Sequence, residues 1–422
     1  MNIWIVTIGE PIINNRFNLR LHRSGLLAKY ISENTNHKVT FVTSLFNHFT
    51  KEFEYRDEKT LRVNENLKMI LLKGTGYKKN VSFSRFYDHL IIQKKFRELL
   101  KSGRPDIIIS SFPTIGLSFE SVKFANKNSV ISFVDIRDLW PEIFIDIIPS
   151  NFKFLGKIIF LPIFYITSII FKKTNGILGV TDDYINVGLK RANRKKSTYD
   201  KSFPLGYNKL SINQKEKNLA IKFWERNGVM LDDGYINVCY FGTLGYQYDL
   251  TTVIKGFKKL KYNNIRLIIC GSGDNEENLK KLALGDTKII FPGYIDAIQI
   301  KVLMQYSDIG VYPPYKKDNF IKNIPGKVVE YLSEGLVIIN SLEYSLVGNL
   351  IRDQKFGSTY NSGDSDSFKN TISKLINDII AKKYNKQRMI NFFEKNYDQI
   401  KVFKDFIHHI EKSVEKIRTN DI

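Results

Sequence analysis

The segment NIPGKVVEYLSEG, residues 323–335, sets Lys327 and Glu330 in the first turns of an apolar helix that starts at Pro325 and Gly326. The unpaired N–H groups and dipole of a helix start favour phosphate, and a lysine there adds a full positive charge. Glu330, one turn on, is placed to accept two hydrogen bonds from ribose hydroxyls, as acids do in nucleotide sites. Its apolar neighbours Val328, Val329 and Leu332 leave few solvated faces, although an exposed helix glutamate is the alternative. Two further segments, YFGTLGYQYDL and CGSGDNEENL, run strand, glycine turn, helix through Gly242, Thr243, Gly271 and Gly273. Such turns offer backbone N–H groups to an anion at a helix start. Each is weak alone; their recurrence in one half of the chain points to binding of a nucleotide diphosphate.

A second set of reactive side chains lies earlier. In FVDIRDLWPEIF, residues 133–144, the acids Asp135, Asp138 and Glu142 and the base Arg137 follow an apolar run and stop at Trp140-Pro141. Asp138 is the group expected to hold an acceptor hydroxyl or take its proton; pairing with Arg137 or capping the next turn is the alternative. In TIGEPIINNRFNLRLHR, Gly9 permits a tight turn, and Glu10, Arg16, Arg20, His22 and Arg23 follow. This loop suits a donor phosphate or an acceptor, with a solvated helix face as the other reading of the arginines. It is not a dinucleotide fingerprint, because G-x-G-x-x-G is absent.

The elements that must position these residues read as two doubly wound sheets. Residues 2–8, 38–44, 67–73, 106–111, 130–136 and 176–181 are apolar, β-branched runs separated by helical spacing at 19–32, 83–101 and 115–127. Continuous apolar strands alternating with helices imply parallel sheets covered on both faces. The pattern restarts with strands at 235–242, 265–273, 287–293, 308–313 and 337–341 and helices at 249–260 and 296–305. The predicted class is therefore α/β with two Rossmann-like domains, 1–205 and 206–393, followed by a charged helical tail, 394–422, packing back towards the first. In open α/β sheets ligands bind at the carboxyl ends of the strands, which places the expected site in a cleft between the domains.

Bulk properties narrow the class. The chain has 422 residues, 43% of them hydrophobic, which excludes wholesale disorder. Cys239 and Cys270 sit in apolar runs and read as core residues, and the six scattered histidines show no metal-ligand spacing. Net charge is +21, of which +14 falls in residues 1–205, so a polyanion or an anionic lipid surface is a natural partner. The beginning MNIWIVTIGEP lacks a basic n-region and reads as a first strand, not a signal peptide. The apolar run 158–171 is broken by Pro162 and bracketed by Lys153, Lys157, Lys172 and Lys173. It suits a helix over 151–173 lying on a membrane surface, with a core helix between domains as the alternative.

Taken together, DIRDLWPE (135–142), PLGYN (204–208), CGSG (270–273), FPGYI (291–295), SDIGVYP (307–313) and NIPGKVVEYLSEG (323–335) resemble a family-4 retaining glycosyltransferase of the GT-B fold. The likeness is to the bacterial branch that builds O-antigen or capsule repeat units, and it covers nearly the whole length. It implies transfer of a sugar, with retention, from a nucleotide-diphosphate sugar, expected to be UDP-linked. The implied acceptor is a polyprenyl-diphosphate-linked saccharide at the cytoplasmic face of the inner membrane, with no cofactor and no metal. By the resemblance, Glu330 is the second acid of an E-x7-E motif and binds the ribose, while Lys322 stands where the first acid is usual. Gly293, Tyr294 and Ile295 would face the base; Asn323, Pro325, Gly326 and Lys327 would complete the donor site, and Lys327 with Lys322 or an arginine of the first domain would neutralise the diphosphate. Glu10, Arg16, Arg20, His22, Arg137, Asp138 and Trp140 would serve the acceptor. The rival readings are a GT-B-fold nucleotide-sugar epimerase and, on charge alone, a nucleic-acid-binding protein, which lacks the corresponding motifs.

Overall fold

Fully buried strands in both halves of the chain decide the architecture. In the computed structural model, which describes residues 1–13, 20–80, 82–230 and 232–420, two sheets form. The chain divides into two compact units, Met1–Pro204 with the chain from Phe403 onward, and Leu205–Val402.

The first unit carries strands β1 (Asn2–Val6), β2 (Lys38–Ser44), β3 (Lys59–Arg62), β4 (Leu67–Leu72), β5 (Ile107–Phe112), β6 (Ile131–Ile136), β7 (Gly176–Gly179) and β8 (Lys201–Ser202). They pair in the order β3-β4-β2-β1-β5-β6-β7-β8, all parallel except β3 against β4. Strands β5 and β6 are buried at every residue, which is why their sequences run apolar without alternation. Strand β3 was not expected. Its KTLR sequence is polar because it forms an exposed antiparallel edge, and a short, charged edge protects a sheet from further pairing.

The second unit carries β9 (Ile236–Phe241), β10 (Ile265–Cys270), β11 (Ile289–Gly293), β12 (Ile309–Tyr312), β13 (Val337–Asn340) and β14 (Gly357–Thr359). Their order is β11-β10-β9-β12-β13-β14, every pair parallel. Trp224, Tyr240, Phe257 and Tyr331 are among the largest side chains of its core, and Cys239 and Cys270 are buried and free within it. Strand order reverses between β1 and β5 in one sheet and between β9 and β12 in the other. Those two switch points are where doubly wound sheets open a crevice beyond their carboxyl ends.

The run 158–171 does not behave as one element. Helices Lys153–Ile159 and Leu161–Lys173 meet at a 57° bend, and no single helix among the described residues is long and apolar enough to cross a membrane. The first half turns Phe154, Leu155, Ile158 and Ile159 outward, whereas Thr167, Ile170 and Phe171 of the second half are buried. The first helix thus presents an exposed apolar face, and the end of the second is buried.

Candidate functional site

In the second unit three loops at the carboxyl ends of β9, β10 and β11 are joined backbone to backbone. Gly242 N–H donates to Cys270 O (3.0 Å), Leu244 N–H to Ser272 O (2.8 Å), and Gly271 N–H to Gly293 O (2.7 Å). The sequence reading had these glycine turns offering N–H groups to an anion. The N–H groups of Gly242 and Gly271 are instead committed to the carbonyls of Cys270 and Gly293 at the ends of the neighbouring strands. The glycines are needed for a different reason: a Cβ on Gly271 would stand 1.8 Å from Gly242 O, and one on Gly273 2.6 Å from Leu244 O. Thr243 is exposed, and its carbonyl accepts the Tyr240 hydroxyl at 2.7 Å.

Helix Gly326–Ser333 begins beside these loops, with Pro325, which makes no side-chain cap hydrogen bond, at its cap position. The space over Gly326 is open. Lys327 turns inward. Its Nζ lies 3.6 Å from the Tyr240 ring centroid and 4.6 Å from that of Tyr248, and a Cβ on Gly242 would approach it to 3.1 Å. The residue is half-buried but its Nζ is shut off from water and has no hydrogen-bond partner among the described residues. Burial lowers its pKa to about 7, against the opposing pull of Glu330. Glu330 is 8% exposed, not on a solvated face. Lys322 pairs with Asp318 at 2.6 Å, and Asn323 leaves its side-chain oxygen buried without a hydrogen-bond partner among the described residues. Of the segment read as facing the base, Tyr294 is 79% exposed and the Ile295 side chain lies in the core.

Sequence reasoning missed Tyr240 and Tyr248, the rings that hold Lys327. Both flank the glycine turn in YFGTLGYQYDL, and aromatic residues bracketing such a turn were the available signal.

In the first unit the loops after β1 and β6 carry a closed network. Glu10 accepts Ser24 N–H (3.2 Å) and Gly25 N–H (3.0 Å), so it caps helix Arg23–Asn34 from another loop, and it pairs with Arg137. Arg137 also binds Asp135 through Nε and Nη2, both 3.1 Å, and Arg23 Nε meets the same oxygen at 3.1 Å. Arg23 further donates to Phe203 O and Pro204 O. Glu10 and Arg137, expected at an acceptor, are thus already committed to each other and to a helix start. Asp138 is half-buried, and its charge adds to burial in raising the phenol pKa of Tyr184. Trp140 packs edge-on against Phe144, with the Arg85 guanidinium 5.2 Å from its ring. Arg20 and His22 are exposed, His22 with its ring edge on Phe49, and Gly9 turns at φ +86°. Arg16 lies outside the described residues. No group of three His, Cys, Asp or Glu side chains that could hold a metal ion occurs among the described residues.

The second-unit arrangement can do one thing well: receive an anion at an open helix start, next to a lysine and an acid. Residues 225–391 match the family Glycosyl transferases group 1. That segment contains the three joined loops, the tyrosine pair, Lys327 and Glu330. No curated protein sequence matches the chain. Among solved structures, the chain is similar to a sucrose-phosphate synthase from Thermosynechococcus elongatus, at 12% identity and TM-score 0.68 over 97% of this chain and 98% of that one. It is also similar to Anabaena Alr3699/HepE in complex with UDP and glucose, at 10% identity and TM-score 0.64 over 98% and 100%. A third is the lipopolysaccharide outer core galactosyltransferase WaaB in its apo form, at 16% and 0.58 over 98% and 99%. At these identities the likeness is one of fold, and that fold is GT-B. With the group 1 match, it supports a GT-B glycosyltransferase.

Proposed function

We propose that the chain is a retaining, family-4 glycosyltransferase that moves a sugar from a UDP-linked donor to a polyprenyl-diphosphate-linked saccharide in bacterial surface-polysaccharide synthesis. The observation that carries the donor half is Lys327, its Nζ without a hydrogen-bond partner among the described residues, near Glu330 at a helix start with Pro325 in the cap position, inside the group 1 segment. The Anabaena neighbour was solved with UDP and glucose, which favours a uridine nucleotide here.

Sugar transfer passes through an oxocarbenium-like transition state while charge builds on the departing diphosphate. The helix start at Gly326 and the Lys327 ammonium would stabilise that charge, in a setting where fixed dipoles act more strongly than in water. Glu330 would hold the ribose, and Asp138 would orient the acceptor hydroxyl. Lys322, paired with Asp318, would leave the sugar to be held differently from family members with an acid at that position. The reaction would need no divalent ion, and the anomeric configuration of the product tests retention.

Thermal shift with a panel of nucleotides and nucleotide sugars tests the donor reading. A ligand at about 100 times its Kd stabilises the folded state by about 2.7 kcal/mol. UDP and one UDP-sugar are expected to raise the unfolding temperature, and Glu330→Gln is expected to abolish most of that rise without unfolding the protein. An unchanged rise in that variant removes the ribose assignment.

The acceptor and location rest on the basic first half and on the outward apolar face between Lys153 and Lys157. The protein is expected on the cytoplasmic face of the inner membrane and to float with anionic vesicles. Replacing Lys153, Lys157, Lys172 and Lys173 should weaken flotation, since each basic residue near such a surface contributes about 1 kcal/mol. A wild type that stays unbound at low salt rejects the membrane part.

A further inference from the structure

A second group of basic side chains gathers around Tyr77, in the loops that follow β2 and β4. Lys51 Nζ lies 4.9 Å from the Tyr77 ring centroid and the Arg85 guanidinium 5.6 Å from it. His48 Nδ1 meets the Tyr77 hydroxyl at 2.6 Å. Asn80 links the two cations: its backbone oxygen accepts Arg85 Nη1–H at 2.7 Å and its side-chain oxygen accepts Lys51. These partners are all neutral. Neither Lys51 nor Arg85 takes part in an ion pair among the described residues, and Arg85 Nε is buried without a hydrogen-bond partner there. Asp88, three residues on, turns its carboxylate to Gly76 N–H at 2.7 Å and reaches Arg85 only through the longer-range field. The local field is therefore positive. Burial, then Lys51, Arg85 and His22, drive His48 down to about 4. Two cations held together by neutral oxygens are a place where an anion is strongly favoured.

An apolar path leads away from this group. The Arg85 guanidinium lies over Trp140, Trp140 packs on Phe144 at 4.6 Å, and Phe144 stacks on Phe160 at 5.7 Å. Phe160 is the joint of the bent helix pair with its outward Phe154, Leu155 and Ile159. The helix that bears Arg85, Phe83–Ser102, exposes Phe83 (94%), Phe86 and Tyr87 in the same turns. An exposed apolar surface of this kind marks an interaction site. Its continuity with the cationic group specifies the partner: a molecule with an anionic end and a long apolar body. A soluble sugar phosphate would satisfy the cations and leave the rings in water.

We infer that Lys51 and Arg85 bind the diphosphate of a lipid-linked acceptor, whose apolar chain lies along Trp140, Phe144 and the outward face of residues 152–165. This rests on the lipid-acceptor reading above, and it places the acceptor's anchor on residues outside the donor site.

Trp140 supplies the readout, because Trp4 and Trp224, the other two tryptophans, are core residues. The full chain is titrated, by tryptophan fluorescence, with geranylgeranyl diphosphate below its micelle concentration, and with geranylgeraniol, inorganic pyrophosphate and glucose 6-phosphate. Geranylgeranyl diphosphate is expected to bind most tightly. The Lys51→Gln/Arg85→Gln double variant should bind it about tenfold or more weakly, the usual consequence of losing charge-assisted hydrogen bonds. Its UDP-induced thermal shift should be unchanged, which separates this site from the donor site. Lys51→Gln alone, a change at a half-buried loop residue, should weaken binding several-fold and serves if the double variant does not fold. Equal affinity of wild type and variants for the lipid diphosphate overturns the subsite but leaves the lipid acceptor standing. Pyrophosphate or glucose 6-phosphate binding as tightly as the lipid diphosphate overturns the lipid assignment. No response to any of the four overturns both.

Discussion

In the first unit Glu10, Arg137, Asp135 and Arg23 form a run of two acids and two bases in which each charge faces an opposite one, and Glu10 also fills a helix start. In the second unit Lys327 rests on two tyrosine rings, and the nearby helix start has Pro325, which makes no side-chain cap hydrogen bond, at its cap position. The same residue types serve two ends. A charge-neutralised network contributes to holding loops in place, since removing one member strands the others. A cation resting on rings near one acid, with its pKa lowered to about 7, is stabilised further when an anion arrives.

The largest effect expected to test this contrast is on folding. Arg23→Leu leaves Asp135 with one cation and frees two carbonyls, and breaking a buried pair this way costs about 3–5 kcal/mol. Urea unfolding should show that loss, and a loss below about 1 kcal/mol would mean the network is not structural. Lys327→Met should behave in the opposite sense. Sugar transfer, or UDP release from the UDP-sugar, should fall by about 100- to 1,000-fold, the range for removing one donor to a developing charge. Its stability near neutral pH should equal or exceed that of the wild type, because a buried ammonium whose burial outweighs the pull of Glu330 is gone. A destabilised Lys327→Met would place Lys327 with the scaffold.

The subtlest test is pH. Lys327 has a pKa of about 7 when folded and 10.5 as its ordinary value, so between these the unfolded chain binds more protons. Its unfavourable contribution is present in full below about pH 7 and disappears as pH rises towards 10.5. The stability of the wild type relative to Lys327→Met should therefore climb over that window. UDP binding at about pH 8 should take up a proton in the wild type and not in the variant, as read by calorimetry in buffers of different ionisation enthalpy. A flat difference across the window would reject the lowered pKa.

Much of this was legible in the residue order, for identifiable reasons. Strands buried on both faces, such as Ile107–Phe112 and Ile236–Phe241, announce themselves as continuous apolar runs. Glu330 stood out because an acid among Val328, Val329 and Leu332 must be placed somewhere specific. What escaped depends on partners far apart in sequence. Glu10 and Arg137 read as free site residues because nothing local shows that they meet across 127 positions. The tyrosine support of Lys327 joins positions 240, 248 and 327 through the fold. Strand β3 and the bend at Phe160 are set by edge position and tertiary packing, which short-range periodicity does not record.

The glycine-to-carbonyl approach beneath the loops after β9 and β10 has a consequence for how such a protein can diversify. Positions 271 and 273 admit no side chain without parting two strands, so they are closed to gradual change. Thr243, Ser272 and Tyr294 point outward from the same platform and can be exchanged without disturbing it. Shifts in donor preference during descent should therefore collect at those three places, leaving the platform itself unaltered.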